Sequence, residues 1–307
     1  MASGFKVANL TINTGAIFNN NTKNIGIIGN LLVNRTILNS SKGNFTFSGL
    51  SNTIAGSTPA ITIFNAVFSG TYANNVTVFN VVNNLTGIGT LTNSASKTLT
   101  IGRNATLTTL TATATNNTVI YTRLAAQTVK PTTYYNLTLS GSGVKTLASV
   151  VVNGTLSMQG TARVIVAPTY GTAAKLEYNR TSPLAAGPEW LPTFTATGGV
   201  SIINTGIVTS NSAKVFNSSV PLTVANDSGG GLDNGGFAIS GGGSLTLAND
   251  ANLYLSGTST FPSGFTTNTI GATSTVEYNG TAQTVAVQNY GNLSLSNPGN
   301  KTFAGAT

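Results

Sequence analysis

TVEYNGTAQTVAVQNYGNLSLSNPGNKTFA, residues 275–304, nearly restates an earlier stretch, TVIYTRLAAQTVKPTTYYNLTLSGSGVKTLA, residues 118–148. With one single-residue gap, about 16 of roughly 30 paired positions are identical, more than shared composition gives. The chain is built from repeats. Tyr121 matches Tyr278, Gln127 matches Gln283, Tyr134 matches Tyr290, and Lys145 matches Lys301. Asn136, Leu137 and Leu139 match Asn292, Leu293 and Leu295. The Leu-x-Leu phrases alternate apolar and polar residues between clusters of Gly, Asn, Ser and Pro, which is strand and turn chemistry.

A more decayed third copy begins at Leu176-Glu177-Tyr178-Asn179. Trp190 follows Tyr178 at the same interval as Tyr290 follows Tyr278, and Phe194-Thr195-Ala196 stands near the Leu-x-Leu position. A fainter fourth copy runs from Asn52-Thr53-Ile54 to Phe64-Asn65.

Short apolar runs recur roughly every 8 to 12 residues, which suits either a β-sandwich or a β-helix. Very short strands, small residues at bends and Asn at equivalent corners favour an all-β parallel β-helix, or β-solenoid, of degenerate repeats. Stacked coils place like residues over like. Tandem β-sandwich domains are the alternative. At ~22 residues per coil, residues 1–307 are expected to form one elongated array of about 14 coils. The clearest repeats lie at 118–156 and 275–304, with an irregular Gly-rich insertion at about 226–243. Both ends read as interrupted repeats, so a piece of a longer chain is expected.

Charged residues make up 7% of the chain against a usual figure of about 25%, while hydrophobic content is 40%. That balance describes a folded chain rather than a disordered one. The formal charge of +8 comes from 14 scattered Lys and Arg against six acids, with no basic cluster that would track a phosphate backbone. No nucleic-acid partner is expected. No apolar run approaches the ~18 residues of a membrane-spanning helix.

The absence of Cys and His removes thiolate and imidazole chemistry. The equivalent acids Glu177 and Glu277 stand in separate repeats rather than as a facing pair. No catalytic residue and no cofactor are expected. Asp227, Asp233 and Asp250 are weak calcium candidates without the regular spacing of a calcium repeat. Tyr121, Tyr134, Tyr178, Trp190, Tyr278 and Tyr290 suggest either a sugar-stacking platform or interior packing. Their fixed repeat positions favour packing. The Thr-rich run at 106–115 raises ice binding, which needs a Thr-x-Thr pair in coil after coil.

The phrases at 278–285, 134–140, 143–147 and 152–157 resemble the repeats of very long cell-surface and secreted proteins of Bacteroidetes. That flavobacterial group includes the SprB-like gliding-motility adhesins and other cargo of type IX secretion. The resemblance is clear over 118–156 and 275–304 and faint elsewhere. It implies an extracellular, filament-forming adhesin on the cell surface, attaching to surfaces or serving gliding motility. The implied partners are the outer-membrane export and anchoring machinery, a surface polysaccharide or abiotic surface, and further copies in a filament. The secretion signal of such cargo is absent from these residues. A phage or secreted carbohydrate-binding fibre is the second expectation, and an ice-binding protein or a polysaccharide lyase of the β-helix type is the third.

Overall fold

The structure, a computed structural model, describes residues 4–34, 37–39, 42–225 and 230–305. Among them there is no helix, and the strand pairings are parallel. The fold is a β-solenoid, which excludes tandem sandwiches with their antiparallel sheets. The chain divides into two compact units, Met1–Gly154 and Thr155–Thr307, which together hold about 14 turns.

In the first unit each coil contributes one strand to each of three faces. Phe5–Val7, Leu10–Ile12 and Ile17–Asn19 make one coil, and Ile25–Ile27, Leu31–Val33 and Ile37–Asn39 stack on them in turn. Later coils follow the same plan with strands of two to four residues, one of them reduced to the single bridge of Leu85 with Ala105. Coil length varies: the step from Phe5 to its partner Ile25 is longer than the step from Val119 to its partner Leu137. Period-two alternation builds the core. In Asn44–Phe47, Phe45 and Phe47 point in and are fully buried, and the next coil sets Ala66 and Phe68 beside them. The Phe47 and Phe68 rings stack 4.7 Å apart at 13°, a separation equal to the rung spacing of a parallel sheet.

One corner of this unit turns on glycine because backbone lies against backbone there. A Cβ on Gly70 would run into the carbonyl of Gly49, and one on Gly89 into that of Gly70. Tyr72, buried under this corner, brings its hydroxyl within 3.1 Å of the carbonyls of Ile27, Ile28 and Gly29. Another corner carries a buried asparagine ladder. Asn74 Nδ2 donates to Asn93 Oδ1 at 2.8 Å, and Asn93 Nδ2 donates to Thr118 O at 3.1 Å.

In the second unit one face carries Thr155–Gln159, Lys175–Asn179, Val200–Ile202, Leu222–Val224, Ser244–Leu247 and Thr267–Ile270. Another carries Leu184–Ala185, Ile207–Thr209, Gly231–Asp233, Asn252–Leu255, Thr275–Tyr278 and Asn292–Leu295. Two copies of one sequence phrase thus sit on different faces, Lys175–Asn179 on the first and Thr275–Tyr278 on the second. The faces are alike enough for a repeat to slip by one.

The register corrects two expectations. The strand stacked on Lys175–Asn179 is Val200–Ile202, with Leu176 beside Val200 and Tyr178 beside Ile202. Phe194 lies on a third face beside Phe216, so Phe194-Thr195-Ala196 is not the Leu-x-Leu equivalent. The third copy encloses a longer coil, which displaced the alignment. The Gly-rich segment, expected as an irregular insertion, is regular over its described residues. Gly231–Asp233 pairs with both Ile207–Thr209 and Asn252–Leu255, and Ile239–Gly241 pairs with Lys214–Phe216. Its glycines sit where coils touch: a Cβ on Gly231 would strike the Asn252 carbonyl.

Candidate functional site

The repeated polar residues meet inside the coils. In the first unit Tyr121 follows Ile101 in one inward column, next to the column of Leu99 and Val119, and its hydroxyl lies 3.0 Å from that of Tyr134. Lys130 N–H donates to Tyr121 Oη at 3.0 Å, and Tyr134 Oη donates to Lys130 O at 2.7 Å. The shared bond is therefore donated by Tyr121, and the loop closes with both rings buried. Gln127 reaches back one coil: its Nε2 donates to Ile101 O at 3.1 Å and Arg103 O at 2.6 Å. Its Oε1 accepts from Arg123 N at 3.1 Å and from Lys145 Nζ, one coil on, at 3.1 Å. Lys145 Nζ also donates to Arg123 O at 2.6 Å. One amide and one ammonium clamp three successive coils.

The second unit repeats the device. Tyr278 and Tyr290 hydroxyls lie 2.9 Å apart, with Ala286 supplying N–H and carbonyl as Lys130 does. Gln283 Nε2 donates to Leu255 O at 2.7 Å and Ser259 O at 3.0 Å, and Lys301 Nζ donates to Gly280 O at 2.6 Å. Gln283 and Lys301 are ladder partners, as Gln127 and Lys145 are.

In the third copy the same corner is built from charges. Tyr178 Oη donates to Glu189 Oε1 at 2.9 Å, so the second tyrosine is replaced by Glu189, with Trp190 packed 6.0 Å from the Tyr178 ring. Arg180 Nη1 donates to Ala162 O at 2.9 Å, and Lys214 Nζ donates to Trp190 O and Asn211 Oδ1, both at 2.7 Å. Glu189, Arg180 and Lys214 are all buried. Glu189 Oε2 and Trp190 Nε1 are buried without a hydrogen-bond partner. Sequence reading missed this trio, although Glu189 stands one place before the position where the other copies put their second tyrosine.

Burial sets the electrostatics of these corners. It brings Lys145 down to about 8, helped by the charge of Arg123, and Lys214 to about 8 against the pull of Glu189. It pushes Tyr121 up to about 12 and raises Glu189, the latter against hydrogen bonds from Gly187 and Tyr178.

The remaining predicted residues are distributed as follows. Leu137 and Leu139 are fully buried, and Asn136 is half-buried at the start of their strand. Leu293 and Leu295 extend the inward columns of Val276 and Tyr278 in the last described rung; Leu293 is half-buried and Leu295 is 45% exposed. Asn292 lies exposed and donates to Thr273 O at 3.1 Å. Asp227 lies outside the described residues. Asp233 accepts from Gly235 N and Ser256 Oγ, while Asp250 occupies a left-handed turn. Asp233 is the ladder partner of Tyr254, so the two aspartates are not brought together. Among the described residues no three His, Cys, Asp or Glu form a metal-binding group. The Thr-rich run places Thr109 and Thr111 on Thr90 and Thr92, one more rung than sequence reading recognised, but the rung before them has Thr71 with Ala73.

The outward side of the sheet containing Gly231–Asp233 carries a row that sequence reading did not assemble. Asp233, Tyr254, Glu277 and Ser294 are successive partners in register, all half-exposed. Ser256 Oγ donates to Asp233 Oδ1 at 2.9 Å, and Ser296 Oγ donates to Glu277 Oε1 at 2.5 Å, which fixes both carboxylates. Burial and the two carboxylates together raise the Tyr254 phenol. The signal was legible: Asn252-Leu253-Tyr254-Leu255 carries the repeat phrase with Tyr at the outward place that Thr138 and Ser294 occupy. A groove of ≈ 410 Å³, lined by Phe261, Ser263, Asn268, Thr284 and Gln288 among others, opens beside Thr267–Ile270. Compared with known proteins, the chain matches no family model, no curated protein and no solved structure.

Proposed function

We propose that this chain is a non-catalytic structural and adhesive segment of a long extracellular surface filament. One observation carries the reading: the most faithfully repeated residues, Tyr121, Gln127, Tyr134 and Lys145 with Tyr278, Gln283, Tyr290 and Lys301, join coil to coil. A sequence that keeps clamps rather than a reactive constellation is suited to transmitting tension. Few charges on the outside suit contact with surfaces over a range of salt. In this reading the implied partners are export and anchoring machinery, neighbouring copies and a surface polysaccharide. A secreted or phage carbohydrate-binding fibre is the second reading, favoured by the outward Tyr254 flanked by Asp233 and Glu277. The test is immunogold labelling of intact source cells with antibody to these 307 residues, combined with live tracking. Label along surface filaments supports the first reading, and label that travels along the cell assigns it to gliding. Label only on released particles or in the medium favours the second.

A further inference from the structure

We propose that the outward row Asp233–Tyr254–Glu277 binds a polymer of amino sugars bearing free amines, with one sugar ring stacked on Tyr254 and amines paired with the two carboxylates. The proposal deepens the adhesive reading and rests on it. Its first support is charge. Within the six strands of that sheet, Asp233 and Glu277 are the only charged residues, in a chain whose formal charge is +8. Two of the six acids thus flank one outward ring with no cation in the sheet to neutralise them. A neutral glycan would leave them unpaired when it covered the row, which is costly. A polyanion would be repelled.

Spacing is the second support. Rungs of a parallel sheet lie ~4.8 Å apart, so the carboxylates two rungs apart are separated by ~10 Å along the stack. That is about one disaccharide of an extended β-linked polymer, in which alternate residues present the same edge. Amines on every second sugar therefore meet Asp233 and Glu277 while the sugar between them covers Tyr254. An ammonium close to the ring gains cation–π attraction as well. The serine bonds from Ser256 and Ser296 hold the carboxylates in place before the ligand arrives. Thr275 and Ser294, also half-exposed on this side, offer hydroxyls to the sugar edges.

The test is binding of the intact chain to soluble glucosamine oligomers at about pH 6. N-acetylated oligomers and poly-lysine serve as comparisons. The expected result is preference for the free-amine oligomer over its N-acetylated form by about tenfold or more, the scale of one good charged contact. Tyr254→Ala should weaken that binding by about tenfold, and Asp233→Asn with Glu277→Gln should erase the preference. Because all three side chains are half-exposed, the variants should melt with the parent protein, and thermal unfolding checks that. Equal binding of both oligomers, no binding by folded protein, or indifference to the substitutions would overturn the assignment. So would poly-lysine binding as tightly and surviving Tyr254→Ala, which would indicate diffuse charge attraction. Filament labelling on cells without amino-sugar binding would sink this ligand alone, whereas binding without filament labelling would sink the filament reading.

Discussion

Replacing Gln127 with Ala removes the centre of a clamp and should be among the most damaging polar substitutions in the first unit. The side chain is 3% exposed and makes four hydrogen bonds, to Ile101 O, Arg103 O, Arg123 N and the Lys145 ammonium. Three neutral bonds at about 1 kcal/mol each and one charge-assisted bond at about 2 kcal/mol give a loss on the order of 5 kcal/mol. Water entering the space left by the side chain would recover part of this, so roughly 3 to 5 kcal/mol is the expected range. Urea unfolding measures it, with two probes because two compact units need not unfold together. Gln288→Ala is the control. That side chain makes only a 3.4 Å contact with Asn268 and should change stability by less than about 0.5 kcal/mol. If the two variants differ by less than about 1 kcal/mol at constant m, the clamp carries no stability and the reasoning fails.

Lys145 and Lys214 have folded values near 8 against 10.5 unfolded, so between these pH values the unfolded chain binds more protons and stability should rise with pH. Tyr121, near 12 folded against 10 unfolded, contributes the opposite slope above about pH 10, and with the raised Tyr134, Tyr170 and Tyr178 it turns the rise over; urea midpoints across pH 7 to 11 should show the maximum, and Lys145→Met should flatten the rise. Gly70→Ala forces a Cβ into the Gly49 carbonyl and should cost about 2 to 4 kcal/mol by thermal unfolding, whereas an unchanged Tm would mean that the corner yields freely. Leu137→Asp should cost more than about 4 kcal/mol because the site is fully buried, and Leu295→Asp, 45% exposed, under about 1 kcal/mol; equal effects would contradict the inward placement of Leu137.

The solenoid was legible because its signal is repetition. Short alternating runs with Gly and Asn at bends dictate both the strand period and the corners, and a parallel stack gives each short run a similar run on the next coil to lie against. Register was less legible where coil length changes. Phe194 looked like a Leu-x-Leu residue because the clearer copies take the short step from Val119 to Leu137 or from Val276 to Leu293, whereas Leu176 takes a longer one to Val200. The Gly-rich segment looked irregular because a strand that replaces side chains with close backbone contact has no hydrophobic alternation to read.

Among the repeated residues, sequence position identified the tyrosines, glutamines and lysines but not their connections. Gln127 reaches across whole coils to Ile101 on one side and Lys145 on the other, separations that no local pattern encodes. The charged version of the corner was hidden for a related reason. Glu189, Arg180 and Lys214 are isolated charges along the sequence and meet only when the coil closes around them, since charged groups are buried only when fold geometry supplies their partners. The outward row was hidden because its members, Asp233, Tyr254, Glu277 and Ser294, lie on four successive coils. Tyr254 alone departed visibly from its phrase, standing where the other copies place Ser or Thr.

Pulling the intact chain by its two ends in a laser trap tests most directly the claim that repeated residues clamp coil to coil. The chain should release in steps of one coil, each on the order of 60 to 80 Å of extended chain. Gln127→Ala should lower the force at which the coils joined by that side chain part, and leave the force of the second unit unchanged. Release at the same force with and without Gln127 would contradict that claim.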